Sequence, residues 1–498
     1  MLTEPSGAGH ERADTGFFEK RQLRRYAGIW SLWALGVGAV ISGHFSGWNY
    51  GLAVAGWGGL LVAAAIMALM FLCLVFCIAE MSSALPDAGA TYAFARRAMG
   101  RWGGFLSGLC DNVEYVLTPA VICFFIGSYL GSMFDTGLPD WCWWIATYGL
   151  FLALNIRGIA LSFRVTLVIT LISLAILMVF CGLAVPHIDI ARWALNIGAD
   201  GTELAGGSGP LFPFGLEGVL AALPFAVWLY LAIEELPLAA EESIDPRRDM
   251  PRGILFALVT LIATAFLIVA INPSLDGIGS YKLGTSGEPI LDGFRALYGN
   301  AGAIPLGIIA LSGLIASFHA ILFGLGRQIF ALSRSGYFPV ALSRTHAVHK
   351  TPHVALLTGS ALGLAIMMTL WFVLGGKAAA PVIGSVLLNM AVFGAMLSYI
   401  LRAISFIVLR RRNPDMPRPF TSPFGQYGAA AVIAISAVTL FYQLQDPNFS
   451  KGVLWVIVWF AAASAYFALH GRHRLMLSPE EVFALQQEAS PALEPARA

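Results

Sequence analysis

The chain has 498 residues, 58% of them hydrophobic and 12% charged, with a mean hydropathy of +0.74. Soluble domains carry about 25% charged residues, so this composition excludes an ordinary cytosolic enzyme and a disordered chain. Thirty Lys and Arg balance 29 Asp and Glu. That leaves no basic field for a phosphate backbone, and no nucleic-acid partner is expected.

A spanning helix needs about 20 mostly apolar residues, and runs such as Gly59–Ile78 and Val165–Val185 supply them. Barrel strands are about 10 residues long and alternate in polarity, a pattern absent here. The expected fold is an all-α polytopic membrane protein with 12 transmembrane helices. The spans are roughly 28–55, 57–81, 102–131, 140–156, 163–186, 214–238, 252–272, 301–326, 353–375, 379–408, 426–445 and 451–470. Residues 1–26 are polar, with no leader-like apolar core, and form an N-terminal tail. Residues 27–409 form the core, 410–470 a loop with spans eleven and twelve, and 471–498 a polar tail of partial helix or disorder.

Span one reads WSLWALGVGAVISGHFSGWNYGLAVAGWGG, with Gly36, Gly38, Gly43, Gly47 and Gly51 and a histidine at its middle. Polar atoms concentrate at Ser42, Gly43, His44 and Ser46, which points to a break there. In span three, Asp111, Glu114, Tyr115 and Thr118 share one face by helical spacing. GxxxG pairs at Gly104/Gly108 and Gly127/Gly131 read as helix-packing surfaces. Trp141, Trp143 and Trp144 open span four and fit an interfacial aromatic belt. Span six reads GLEGVLAALPFAVWLYLAIEELPLAAEE, with Pro224, Glu234, Glu235 and Pro237. Glycine costs a helix about 1 kcal/mol and proline about 3 kcal/mol. Two interrupted spans five apart point to an inverted-repeat transporter with its site at the bilayer midplane. Spans one to five and six to ten are then the repeats.

Most Lys and Arg outside the apolar runs fall on one side when the N-terminus is placed in the cytoplasm. The positive-inside rule therefore puts both termini there, in a cytoplasmic-membrane protein. On that reckoning Arg327 and Arg402 belong to inside segments. The opposite side carries the loops Pro186–Phe214 and Asn272–Asn300; in the second, EPILDGFRALYG reads as a short helix. Thr91–Met99 and Gln328–Leu342 read as amphipathic interface helices. The six cysteines form no CxxC pair, so neither a metal site nor a cofactor is expected. GxSxG, HExxH and Walker motifs are absent, which argues against an enzyme.

Four segments carry a resemblance: AEMSSALPDAGATYAFARRAMGRWGGFLSG (79–108), EEL..AAEESIDPRRDMPRGI (234–254), GRQIFALSRSGYFP (326–339) and RRRNPDMPRPF (410–420). With them the chain resembles the amino acid–polyamine–organocation (APC) transporter superfamily over about residues 25–470. VISGHFSGWNYGL, EYVLTPA and WLYLAIEELPLAAEE make it most similar to ethanolamine permeases. The resemblance implies a five-plus-five inverted repeat, broken spans one and six, and alternating access. It implies substrate contacts at Ile41, Ser42, Gly43, His44 and Phe45, at Trp228–Glu234, near Glu114 and Tyr115, and near Ser317.

Charges at mid-membrane are costly and mark function. The acidic candidates are Asp111, Glu114, Glu234 and Glu235, with Glu217 and Glu80 nearer the ends, and no Lys or Arg was placed at mid-span. The expected cavity is thus net acidic and suited to a small amine lacking its own carboxylate, such as ethanolamine. Phe45, Trp48, Phe225, Trp228 and Tyr230 are candidate walls, with a cation–π contact from Trp228 or Tyr230. Glu80 is expected to pair with Arg96 and Arg97 in a gating network. The alternative is an amino-acid permease, a proton symporter or exchanger of the same superfamily, holding a substrate carboxylate on broken-helix amides. For coupling, the lysine that proton-coupled relatives carry in span five is replaced here by Ser173. A proton route through Glu114, Glu234 or His44 stays open. Sodium is less favoured, because span eight offers Ser317 alone.

Overall fold

A computed structural model describes residues 26–85, 90–134, 136–376, 380–445, 450–473 and 475. The N-terminal tail before Tyr26 and nearly all of the C-terminal tail lie outside the described residues. Among the described residues the chain is almost wholly helical, with only isolated β-bridges, such as Ala27 to Ser243.

Among the described residues, nine helices are long and apolar enough to cross a membrane. They are spans two (Tyr50–Ala84), three (Thr91–Met133), five (Ile159–Ala184), seven (Pro246–Ile271), eight (Pro289–Arg334), nine (His353–Leu374), ten (Ala380–Arg412), eleven (Gly425–Gln445) and twelve (Ser450–Leu469). Span four, Asp140–Arg157, is shorter in its apolar part. The interrupted spans one and six complete the twelve.

Span one runs as Ile29–Val40 and Ser42–Phe45, then breaks. Ser46 is extended and Gly47 takes φ +95°, a left-handed conformation open to glycine at little cost. The chain re-enters helix at Tyr50 and turns into span two at Gly56. Span six runs as Gly215–Ala221 and Leu223–Val227, unwinds over Trp228–Ala232, and continues as a 3-10 helix, Ile233–Glu242. Pro224 sits at the start of the second piece. Ala232 is left-handed at φ +81°, a strained position for a residue with a Cβ.

The repeat shows in a second pair of elements. Span three is kinked at Gly100 (φ 74°, ψ −164°) and span eight at Gly299 (φ 68°, ψ 174°). Each kink separates a short lead-in helix from the spanning part. The lead-ins are Thr91–Met99 and the segment containing EPILDGFRALYG, five spans apart. Both were legible as short helices. Gln328–Arg334, expected at the interface, instead continues span eight as buried helix.

Glycines let spans pack closely. A Cβ on Gly108 would run into Leu332 on span eight, and one on Gly127 into Trp144 on span four. Trp144, expected in an interfacial belt, is buried against Gly127 and Phe124, with its ring 5.1 Å from that of Trp371 on span nine. All six cysteines are free.

Candidate substrate site

The two breaks meet. Gly43 packs directly on the Trp228 carbonyl, and a Cβ on Gly47 would lie 2.7 Å from Trp228 Nε1. The backbone groups freed by the breaks must find partners inside the protein, and side chains supply them. Ser317 on span eight accepts from Ser42 N (2.8 Å) and donates to Gly38 O (2.7 Å), splicing span one across its turn at Ile41. Tyr129 donates to Phe45 O (2.7 Å), and Trp48 Nε1 to His44 O (3.2 Å). Glu234 Oε1 accepts from Ala232 N (3.2 Å) and so caps the strained residue.

Glu114 on span three and Glu234 on span six are electrostatic neighbours in the buried centre. Tyr399 on span ten donates to Glu234 Oε1 (2.7 Å). Both Glu114 oxygens and Glu234 Oε2 are buried without a hydrogen-bond partner.

One expectation is overturned here. Span ten runs unbroken to Arg412, which carries Arg402 into the interior with 1% of its side chain exposed. Arg402 is therefore not an inside-segment charge, and the centre does hold a cation. Arg402 Nη2 meets Asp111 Oδ1 at 2.9 Å and Tyr115 Oη at 3.3 Å, and Nη1 donates to the Glu234 carbonyl at 3.3 Å. Ser398 also donates to Asp111 Oδ1, and Gln328 Nε2 to Oδ2 at 3.2 Å. Arg327 is buried likewise, paired with Glu242 at 2.8 Å. Ser398, Tyr399, Arg402 and Gln328 were all missed. The available signal was Arg402 lying inside an apolar run, with Ser398 and Tyr399 one turn earlier.

The remaining site residues divide. Ile41, Ser42, Gly43 and Phe45 are buried at the break, with the Phe45 ring against Gly313 of span eight. His44 is buried but turned toward the Leu261 backbone on span seven, and neither ring nitrogen has a hydrogen-bond partner. Tyr230 faces span two, donating to Ala64 O (3.3 Å) and lying 5.5 Å from the Phe71 ring. Trp48, Phe225 and Trp228 are buried. Glu235 packs its carboxyl against Gly324 of span eight, and Glu217 is exposed. Ser173 donates to Ile169 O (2.7 Å) and lies 3.2 Å from Ser312 Oγ on span eight.

Glu80 pairs with other arginines than those expected. Arg410 meets it at 2.9 and 2.6 Å, Arg418 at 3.1 Å, and Ser422 N at 2.7 Å. Arg96 instead lies over the Tyr337 ring. Arg97 is half-buried on the same lead-in helix.

Hydrogen bonds tie the interrupted spans to neighbouring segments at both ends. At the end with the long loops, Asn49 Nδ2 donates to Leu283 O (2.6 Å) and Ser286 O (2.8 Å), and Ser46 to Gly287 O (2.8 Å). At the arginine-rich end, Tyr26 N and Ala27 N donate to Glu242 O (2.7 and 2.9 Å). A hollow of about 250 Å³ at the loop end is lined by Ser128, Asp140, Trp144 and Glu288, among others, and shares no lining residue with the breaks.

Residues 28–463 match the amino acid permease family. The chain belongs to that family. The permease is also similar to three bacterial transporters along most of their lengths. It is 26% identical to a methylthioribose transporter of Bacillus subtilis, over 92% of this chain and 96% of the relative. It is 25% identical to a branched-chain amino acid permease of the same organism, over 91% and 95%. An uncharacterized transporter of Rhizobium meliloti is 27% identical over 85% and 87%. The permease is a multi-pass membrane transporter of the APC superfamily, carrying a small molecule across a bilayer.

Proposed function

We propose that this permease imports ethanolamine or a similar small organic amine by alternating access, with both termini in the cytoplasm. One observation carries the reading: the buried side-chain atoms left without partners around the meeting of the two breaks include three carboxyl oxygens, both of Glu114 and Oε2 of Glu234, beside the single donors Trp228 Nε1 and Arg402 Nε. Arg402 already engages both of its terminal nitrogens, with Asp111, Tyr115 and the Glu234 carbonyl. A substrate carboxylate therefore meets no free guanidinium fork, while an ammonium, with three donors and no acceptor, meets free charged acceptors.

Glu234 and Glu114 bind the ammonium, Tyr399 orients Glu234, and the buried Trp228 and Phe45 close over the carbon chain. The coupling ion in this reading is a proton that Glu114 or Glu234 takes up and carries inward together with the amine. Ser317, whose hydroxyl bonds both Ser42 N and Gly38 O of span one, serves the break in this reading and not a sodium ion.

Uptake of labelled substrates into proteoliposomes tests the reading. Ethanolamine is taken up saturably, and Glu234→Gln reduces that uptake strongly. Uptake of leucine or alanine with ethanolamine ignored contradicts it and favours the amino-acid alternative. Imposed pH and sodium gradients in the same assay identify the coupling ion.

A further inference from the structure

We propose that Arg402 makes the centre select a monoamine over a diamine, by keeping the Asp111 carboxylate out of the substrate's reach. This rests on the amine reading above and deepens it.

Asp111 and Glu114 stand one turn apart on the same face of span three. Side chains at that spacing have their Cβ atoms ~5–6 Å apart, comparable to the separation of the two ammonium groups in a three- or four-carbon diamine. Both are buried, and both lie among the groups around Glu234. By position, Asp111 is the natural seat for a second cation. By bonding it is occupied: Oδ1 accepts from Ser398 and from Arg402 Nη2, and Oδ2 from Gln328. Arg402 is thus a built-in guanidinium standing where a second ammonium would bind. Its other nitrogen, on the Glu234 carbonyl, fixes it against the break.

The argument is differential. Removing the guanidinium leaves every other charge in place and adds one uncompensated carboxylate beside Glu114. Glu235, against Gly324, and the Arg327–Glu242 pair are the same before and after. Lysine at 402 keeps the charge but loses the planar fork that reaches Asp111, Tyr115 and the carbonyl together.

Purified permease is tested for binding of labelled ethanolamine and of 1,4-diaminobutane. The wild type prefers ethanolamine. Arg402→Gln moves the ratio of the two affinities toward the diamine by roughly tenfold or more, the worth of one charged hydrogen bond. Arg402→Lys keeps the wild-type order. The double variant Asp111→Asn with Arg402→Gln, which removes both charges, returns the ratio toward wild type. An unchanged ratio in Arg402→Gln, or a double variant shifted as far as the single, overturns the proposal. Should Arg402→Gln not fold, Asp111→Asn gives the second reading. Its uncompensated Arg402 weakens both amines and admits β-alanine, and amine affinities as in the wild type with β-alanine still excluded also overturn the proposal. A wild type that ignores ethanolamine fails the amine reading and this inference together. A wild type that binds ethanolamine while the variants keep its ratio fails this inference alone.

Discussion

Gly43 of span one rests on the backbone carbonyl of Trp228 in span six, with no room for a side chain between them. This contact brings the two interrupted helices together, so that Glu234, six residues after Trp228, lies opposite Glu114. The site follows from it: the breaks expose backbone, neighbouring side chains satisfy that backbone, and the carboxyls left over face each other.

Gly43→Ala tests the contact. The added methyl group meets backbone, which cannot rotate away, so the breaks must separate. Overpacking of this kind costs about 1–3 kcal/mol. Thermal unfolding of the purified variant is expected to fall accordingly, and uptake to drop at least as far as for a loss of Glu234. A variant with wild-type stability and uptake shows that the breaks are not in contact.

Ser317→Ala removes an acceptor from Ser42 N and a donor from Gly38 O. An unsatisfied buried group costs about 1–3 kcal/mol. The expected outcome is a less stable permease in which Ser317→Thr, keeping the hydroxyl, is the milder change. Sodium dependence of uptake is expected to be the same in both variants. A sodium effect lost only in Ser317→Ala counts against the structural role given to this hydroxyl.

Glu80→Gln frees Arg410 and Arg418 from a carboxylate whose side chain is only 3% exposed. Charged hydrogen bonds contribute about 1.5–3 kcal/mol each. The segment from Arg410 to Ser422 is expected to exchange its amide hydrogens faster, while Arg96 and its lead-in helix exchange as before. Equal effects on both segments contradict the pairing.

A pH dependence follows from Glu288, which precedes span eight. Burial raises its carboxyl above the ordinary value of 4.5, against the lowering effect of the Ser128 hydrogen bond. A raised acid holds its proton longer in the folded state. Its contribution to stability is therefore intact below about 4.5 and declines as pH climbs through the raised folded value. Glu288→Gln, which stays neutral, loses nothing over that window. Melting temperatures of the two proteins should diverge as pH rises from about 4.5, with the wild type falling relative to the variant. Parallel curves contradict this.

The sequence made the breaks legible because helix-breaking residues there coincide with polar ones: Gly43, Ser46 and Gly47 in span one, and Pro224, Glu234 and Pro237 in span six. The lead-in helices were legible from their own amphipathic pattern. Arg402 was not, since an arginine near the end of an apolar run reads as a loop charge until the helix is seen to continue to Arg412. Glu80 was assigned to Arg96 and Arg97, which are near in sequence, whereas Arg410 and Arg418 reach it from span ten and the loop after it. Such long-range partners leave no periodic trace. His44 and Tyr230 lie in the interrupted segments, but their outward direction, toward spans seven and two, depends on the exact turn at which each helix unwinds.

The central claim is that the Glu114–Glu234 carboxyl pair binds an amine that lacks a carboxylate. Equilibrium binding of labelled ethanolamine to purified permease, with unlabelled alanine as competitor, tests it most directly. The account predicts saturable binding that alanine does not displace and that is lost in Glu114→Gln. Binding that survives Glu114→Gln, or that alanine displaces as well as ethanolamine does, contradicts it.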